Sequence, residues 1–304
     1  MKNIKFVMFL YFVLYFNESF SQKTPVKISN PISGSEVIVP NKSNQDFNTK
    51  NFSNNFPDKI TPRATISYSP TGVFSLYDLQ SNSCPQEIWQ DPFNPGNIHV
   101  IYMTSNEVSY SDRTCAYIFS SNFGASWVRV ANIPSIGRSG FPSISGFDDG
   151  RAVIALHTQN GGPQQTKIYY NSFPGSNNFT ELNPGGDQVW PKVLGVGNNR
   201  IVFASSINAA SGPAFTNTLN ISPPPTFSGW VSYNGDIAGN YSFAKAPNGK
   251  IGHAYIGTLD TEYDVFYRFS TDNGLTWNIN PTKIWDWNLS PGLGSDCPKT
   301  NTTN

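Results

Sequence analysis

Charge is scarce in this sequence. Only 13% of its 304 residues are Asp, Glu, Lys or Arg, about half the ~25% usual in soluble domains. Twenty basic side chains balance twenty acidic ones, for a formal net charge of zero. That balance excludes the electrostatic footprint of a nucleic-acid binder and of a polybasic membrane-surface protein. Cysteine is scarcer still: Cys84, Cys115 and Cys297 allow at most one bridge, which excludes a disulfide-built scaffold. No apolar run reaches the ~20 residues needed to span a bilayer, and no window holds a helical period. His-Glu-x-x-His, Gly-x-Ser-x-Gly and phosphate-loop motifs are absent, so neither a metal nor a cofactor is expected.

What remains is aromatic and turn-rich. Aromatic residues make up 14% of the chain, with 25 glycines and 23 prolines, a composition that points to an all-β protein outside the cytoplasm. The N-terminus agrees. Lys2 and Lys5 precede an apolar run from Phe6 to Phe16, and Ser19-Phe20-Ser21 supplies small residues at the −3 and −1 positions of a cleavage site. Residues 1–21 read as a secretory signal peptide cleaved near Ser21, and the mature chain is expected outside the cell or at its surface. Residues 22–64 are rich in Asn, Ser, Lys and Pro without apolar periodicity, as in a disordered spacer. A folded domain is expected over 65–304.

Within 65–304 the sequence repeats about every 50 residues, the period of a four-stranded unit. Segments starting at Cys84, Phe141, Trp190 and Tyr241 each run from an aromatic residue or Cys, usually before Pro, through a strand and tight turn into an apolar strand. The strands after these turns open at Ile98, Ala152, Ile201 and Ile251, and Cys297-Pro298 resembles a fifth opening. Pro95-Gly96-Asn97, Asp149-Gly150, Asn198-Asn199 and Asn248-Gly249 are residues that tight hairpins require. Apolar residues on both faces of "RAVIALH" (151–157) and "RIVFASS" (200–206) suit sheets covered on both sides. Cys84 pairs with Cys115 inside the first unit, or with Cys297 at the equivalent place in the fifth; both readings stay open. His99, His157 and His253 occupy different offsets in their units, so they do not stack into a metal site.

A second signal keeps the same phase. "SSNFGASW" (120–127) and "STDNGLTW" (270–277) share the pattern Ser-x-Asn/Asp-x-Gly-x-Ser/Thr-Trp and lie three units apart. The two intervening copies are degraded but keep Phe179 and Trp230. This octapeptide resembles the Asp-box (BNR) repeat, whose best-known members are sialidases. The resemblance implies a β-propeller of four-stranded antiparallel blades, each strand A, turn, strand B, loop, strand C, octapeptide turn, strand D. Four blades and the start of a fifth fall short of the six in sialidases. Either the reading frame is truncated at its C-terminus, or a strand over 71–79 closes a smaller ring. The Asn/Lys/Phe-rich composition also looks bacterial. Ser120, Asn122, Gly124, Trp127, Ser270, Asp272, Gly274 and Trp277 are read as structural: the Asx side chains bond their own turn backbone, the glycines take positive φ, and the indoles cover the hairpins.

The resemblance places function on the face carrying the B–C and D–A loops. Candidate ligand-binding residues there are Arg113, Arg138, Trp190, Tyr241, Asp260 and Glu262, a set of forks, rings and acids suited to sugars. The sialidase machinery itself is not visible. Arg-Ile-Pro is missing, and adjacent Glu262 and Tyr263 point to opposite sides of a strand. Catalytic residues stay unassigned. The expected function is a secreted propeller that binds a carbohydrate or a cell-surface glycoprotein, with two alternatives: an exo-sialidase-like hydrolase, and a purely structural scaffold.

Overall fold

The computed structural model describes residues 69–76, 86–159, 163–207, 213–235, 240–257 and 264–285. All fall in one compact unit, Thr65–Asn304. The expected leader and spacer lie outside the described residues, as do Cys84, Asp260, Glu262, Tyr263 and Cys297.

Every described element is a strand, and the strands form four antiparallel sheets. The first holds β1 (Ile88–Gln90), β2 (Ile98–Thr104), β3 (Thr114–Ser120) and β4 (Val128–Ile133); the second holds β5 (Arg138–Gly146), β6 (Ala152–Gln159), β7 (Gln165–Asn171) and β8 (Phe179–Leu182). The third holds β9 (Gln188–Val196), β10 (Arg200–Ile207) and β11 (Ala214–Asn220), with β12 (Thr226–Phe227) and β13 (Val231–Tyr233) both paired to β11. The fourth holds β14 (Tyr241–Lys245), β15 (Ile251–Ile256), β16 (Val265–Ser270) and β17 (Thr282–Trp285). Each sheet is an up-and-down meander, one blade of a β-propeller. The expected hairpins open the blades: Gly150 N–H donates to Phe147 O, Gly249 N–H to Ala246 O, and both glycines take φ near 80°. The strand expected over 71–79 does not form across 71–76. That segment lies over the first blade instead, where the Tyr102 hydroxyl donates to Val73 O and Leu76 N–H donates to Ser105 O.

Alternation along the strands puts a separate core on each side of a blade. In β6, Ala152, Ile154 and Leu156 pack with Ile101, Met103, Tyr117 and Ile133 of the first blade. Val153 and Ala155, on the opposite face, pack with Val193, Ile201, Phe203 and Leu219 of the third. Leu194, Val202 and Ala204 likewise meet Phe243, Ile251 and Phe266 of the fourth. Both-sided burial of this kind is why the strands read as apolar runs. Cys115 lies in the first interface as a free, buried thiol, so the Cys84–Cys115 bridge is not made.

The two octapeptides form the same turn. Gly124 N–H donates to Ser120 Oγ at 2.9 Å, and Ser126 N–H donates to Asn122 Oδ1 at 2.9 Å. In the fourth blade Gly274 N–H donates to Ser270 Oγ at 2.8 Å, and Thr276 N–H to Asp272 Oδ1 at 2.9 Å. Burial opposes ionisation of Asp272, but bonds from the Thr276 hydroxyl, the Thr276 amide and the Ser270 hydroxyl outweigh it and hold the carboxyl below its usual range. Gly124 and Gly274 have φ of 80° and 86°, which only glycine adopts cheaply. The aromatic residue following each turn packs against a blade face: Trp127, Phe179, Trp230 and Trp277 do so in chain order.

Successive first strands approach closely at glycines. Val193 N–H donates to Ser143 Oγ at 3.2 Å and Gly195 N–H to Ser145 Oγ at 3.1 Å. A Cβ on Gly195 would collide with the Gly146 carbonyl, and one on Gly146 would enter the Trp89 indole. Gly195→Ala is therefore expected to destabilise the domain by about 1–3 kcal/mol, the cost of overpacking a filled core. Urea unfolding of the variant against the parent checks this, and an unchanged midpoint would contradict it.

Candidate functional site

Two strand-initial aromatic residues sit in an unusual backbone geometry, and proline is the cause. In β5 the register jumps from Gly140↔His157 to Ser143↔Ala155, leaving Phe141 and Pro142 opposite a single residue. In β9 it jumps from Val189↔Ser206 to Lys192↔Ala204, leaving Trp190 and Pro191 in the same position. Proline has no N–H for a ladder, so it settles where pairing is interrupted. Both breaks are β-bulges, which re-aim a side chain. Phe141 has φ of 52° and Trp190 of 59°, the left-handed region that costs a bulky residue about 1–3 kcal/mol and clusters at functional sites.

The re-aimed rings meet. Phe141 and Trp190 pack edge to face with centroids 4.3 Å apart, and His157 lies 4.9 Å from the first and 5.2 Å from the second. Trp190 N–H donates to His157 Nδ1 at 3.5 Å, while buried Nε2 has no hydrogen-bond partner among the described residues. Arg113, ending the first blade's B–C loop, donates from Nε to Ser139 O at 3.0 Å and lies 5.4 Å from the Phe141 ring centre. Gly140 makes room for it, since a Cβ there would stand 2.9 Å from Arg113 Nη2. Burial, with the Arg113 and Arg138 charges added, pushes the His157 imidazole down to about 3. Both arginines therefore act on one imidazole.

Tyr241 behaves differently. No proline follows it, β14 pairs with β15 in unbroken register, and its ring is buried. Its hydroxyl donates to Trp190 O at 2.6 Å, so it holds the Trp190 backbone rather than offering a face. Of the six residues selected from sequence, Arg113, Arg138, Trp190 and Tyr241 converge here, and Asp260 and Glu262 lie outside the described residues.

Four further residues were not selected from sequence. Phe141 occupies the same repeat position as Trp190, a signal the repeat alignment already contained. His157, Glu87 and Lys192 carried no motif. Glu87 precedes β1, and burial raises its carboxyl to about 7 against the lowering effect of Lys192. A carboxyl poised there suits proton transfer at neutral pH. Glycoside hydrolysis needs two acidic groups, and among the described residues no second carboxylate acts on Glu87. Asp112 is a loop staple, held below its usual range first by the Ser105 hydroxyl and then by the Asn106 amide.

No protein-family model matches the chain, and no curated protein matches it. Solved structures are similar in fold. A protein of unknown function from Dyadobacter fermentans is 14% identical, covering 56% of this chain and 48% of that one, at TM-score 0.40. A Hadza microbial sialidase is 15% identical over 63% and 43%, at 0.47. An α-L-arabinofuranosidase from Fusarium graminearum is 14% identical over 67% and 68%, at 0.46. The chain spans less than half the length of the first two. Among the described residues no helix is long and apolar enough to cross a membrane.

The histidines set an acid dependence. His99 is pushed down to about 4 by burial, against a raising effect from Asp91; His157 is pushed to about 3, and burial drives His253 well below its usual value. Unfolded histidines titrate near 6.5. Between about pH 6.5 and 4 the unfolded chain binds protons that the native chain refuses, so stability falls with pH by about 1.4 kcal/mol per unit per histidine. Glu87, raised to about 7 from an ordinary value near 4.5, opposes one of the three over most of that window. Urea unfolding at pH 7, 6 and 5 is expected to give steadily lower stability, and His99→Gln should flatten the trend.

Proposed function

We propose that this chain is an exported Asp-box propeller that binds carbohydrate, free or on a surface glycoprotein, through the cluster around His157. The observation that carries this reading is the pair of bulged aromatics, Phe141 and Trp190, held at positive φ beside Arg113 and Arg138. Half-buried rings offer faces to a pyranose, and guanidinium forks pair with a carboxylate or sulfate bidentately. The octapeptide turns at Ser120–Trp127 and Ser270–Trp277 support the Asp-box assignment, and the Lys2–Ser21 pattern supports export. Arg138→Ala is expected to weaken an acidic glycan by about 1.5–3 kcal/mol, the range for a charged hydrogen bond, with little change in thermal stability. Affinity measured by calorimetry on array-selected glycans checks it; unchanged affinity for every acidic glycan would overturn the reading.

A second reading is a sialidase-like glycoside hydrolase, favoured by the raised carboxyl of Glu87. It predicts turnover of a fluorogenic sialoside that Glu87→Gln reduces at least a hundredfold, the lower range for a general acid. Binding without turnover supports the first reading, and absence of both leaves a structural scaffold.

A further inference from the structure

A cleft of about 780 Å³ opens between the third and fourth blades, away from the His157 cluster. Its charged residue is Arg268 on β16, which is 7% exposed. Nε donates to His253 Nδ1 at 2.9 Å and Nη2 to Thr216 Oγ1 at 3.2 Å. The guanidinium carbon lies 4.1 Å from the Tyr233 ring centre and 4.7 Å from that of Trp277. All these partners are neutral, and among the described residues no carboxylate pairs with Arg268 and Nη1 makes no hydrogen bond. A buried cation is costly without an opposite charge, and contacts with ring faces return only part of that cost. A carboxylate entering the cleft would supply the missing charge and accept from the unused edge of the fork.

The rest of the lining says what should carry that carboxylate. Ser232, Thr276 and Asn278 bring hydroxyl and amide groups, while Tyr233 and Trp277 bring apolar surface. That mixture fits a polyhydroxylated ring, and the volume fits a small molecule. We propose that this cleft is a second carbohydrate site, for a sugar that carries a carboxylate, of the hexuronic acid class. It is independent of the His157 cluster and would stand if that reading failed.

The test is fluorine NMR on the full chain labelled with 5-fluorotryptophan, with Trp277 and Trp190 assigned through their phenylalanine variants. Glucuronate or galacturonate is expected to move the Trp277 resonance saturably and leave Trp190 in place, with glucose and galactose at least tenfold weaker. Arg268→Gln should abolish the shift. Should that variant not fold, Ser232→Glu places a repelling carboxylate on the exposed wall of the same cleft and should weaken the uronate at least tenfold. The proposal is overturned by a silent Trp277, by a uronate that moves only Trp190, by neutral sugars that bind as well, or by unchanged affinity in a folded Ser232→Glu.

Discussion

The close face-to-face packing of consecutive blades governs the rest of this molecule. First strands approach so near that Gly146 and Gly195 have no room for a Cβ, and Ser143 and Ser145 bond the next strand's backbone in place of a neighbouring ladder. Residues one repeat apart in sequence thereby become neighbours. Phe141 meets Trp190 and Trp190 meets Tyr241 because of this spacing, not because of any local motif.

Within that frame, proline decides which way the aromatic residues point. Pro142 and Pro191 cannot donate to a ladder, so the register slips and the preceding ring takes a left-handed backbone. Ser242 stands where those prolines would be in the fourth blade, the strand stays regular, and Tyr241 turns inward. One missing backbone N–H separates a half-buried aromatic face from a buried strut.

The low charge content gives the remaining charges unusual surroundings. Arg113 lies against Phe141 and near a neutral His157; Arg268 lies against Tyr233 and Trp277 and bonds a neutral His253. Lys192 is buried beside the raised carboxyl of Glu87. Around Arg268, aromatic faces and an unprotonated imidazole take the place that a carboxylate holds in most interiors.

Strand identity, blade period and turn positions were written in the sequence, because alternation and Gly/Asn turn chemistry are local. Ile98, Ala152 and Ile251 begin second strands as the repeat predicts, while Ile201 follows one residue behind the start of its strand. The octapeptides predicted their own hydrogen bonds for the same reason. The path of 71–76 was not legible, since a segment bonded through Val73 O and Leu76 N–H leaves no alternation in its side chains. Nor were the roles of Glu87, His157 and Arg268. A carboxyl's proton affinity and a cation's lack of a partner depend on what other blades bring within a few ångströms, and only the packed tertiary structure fixes that.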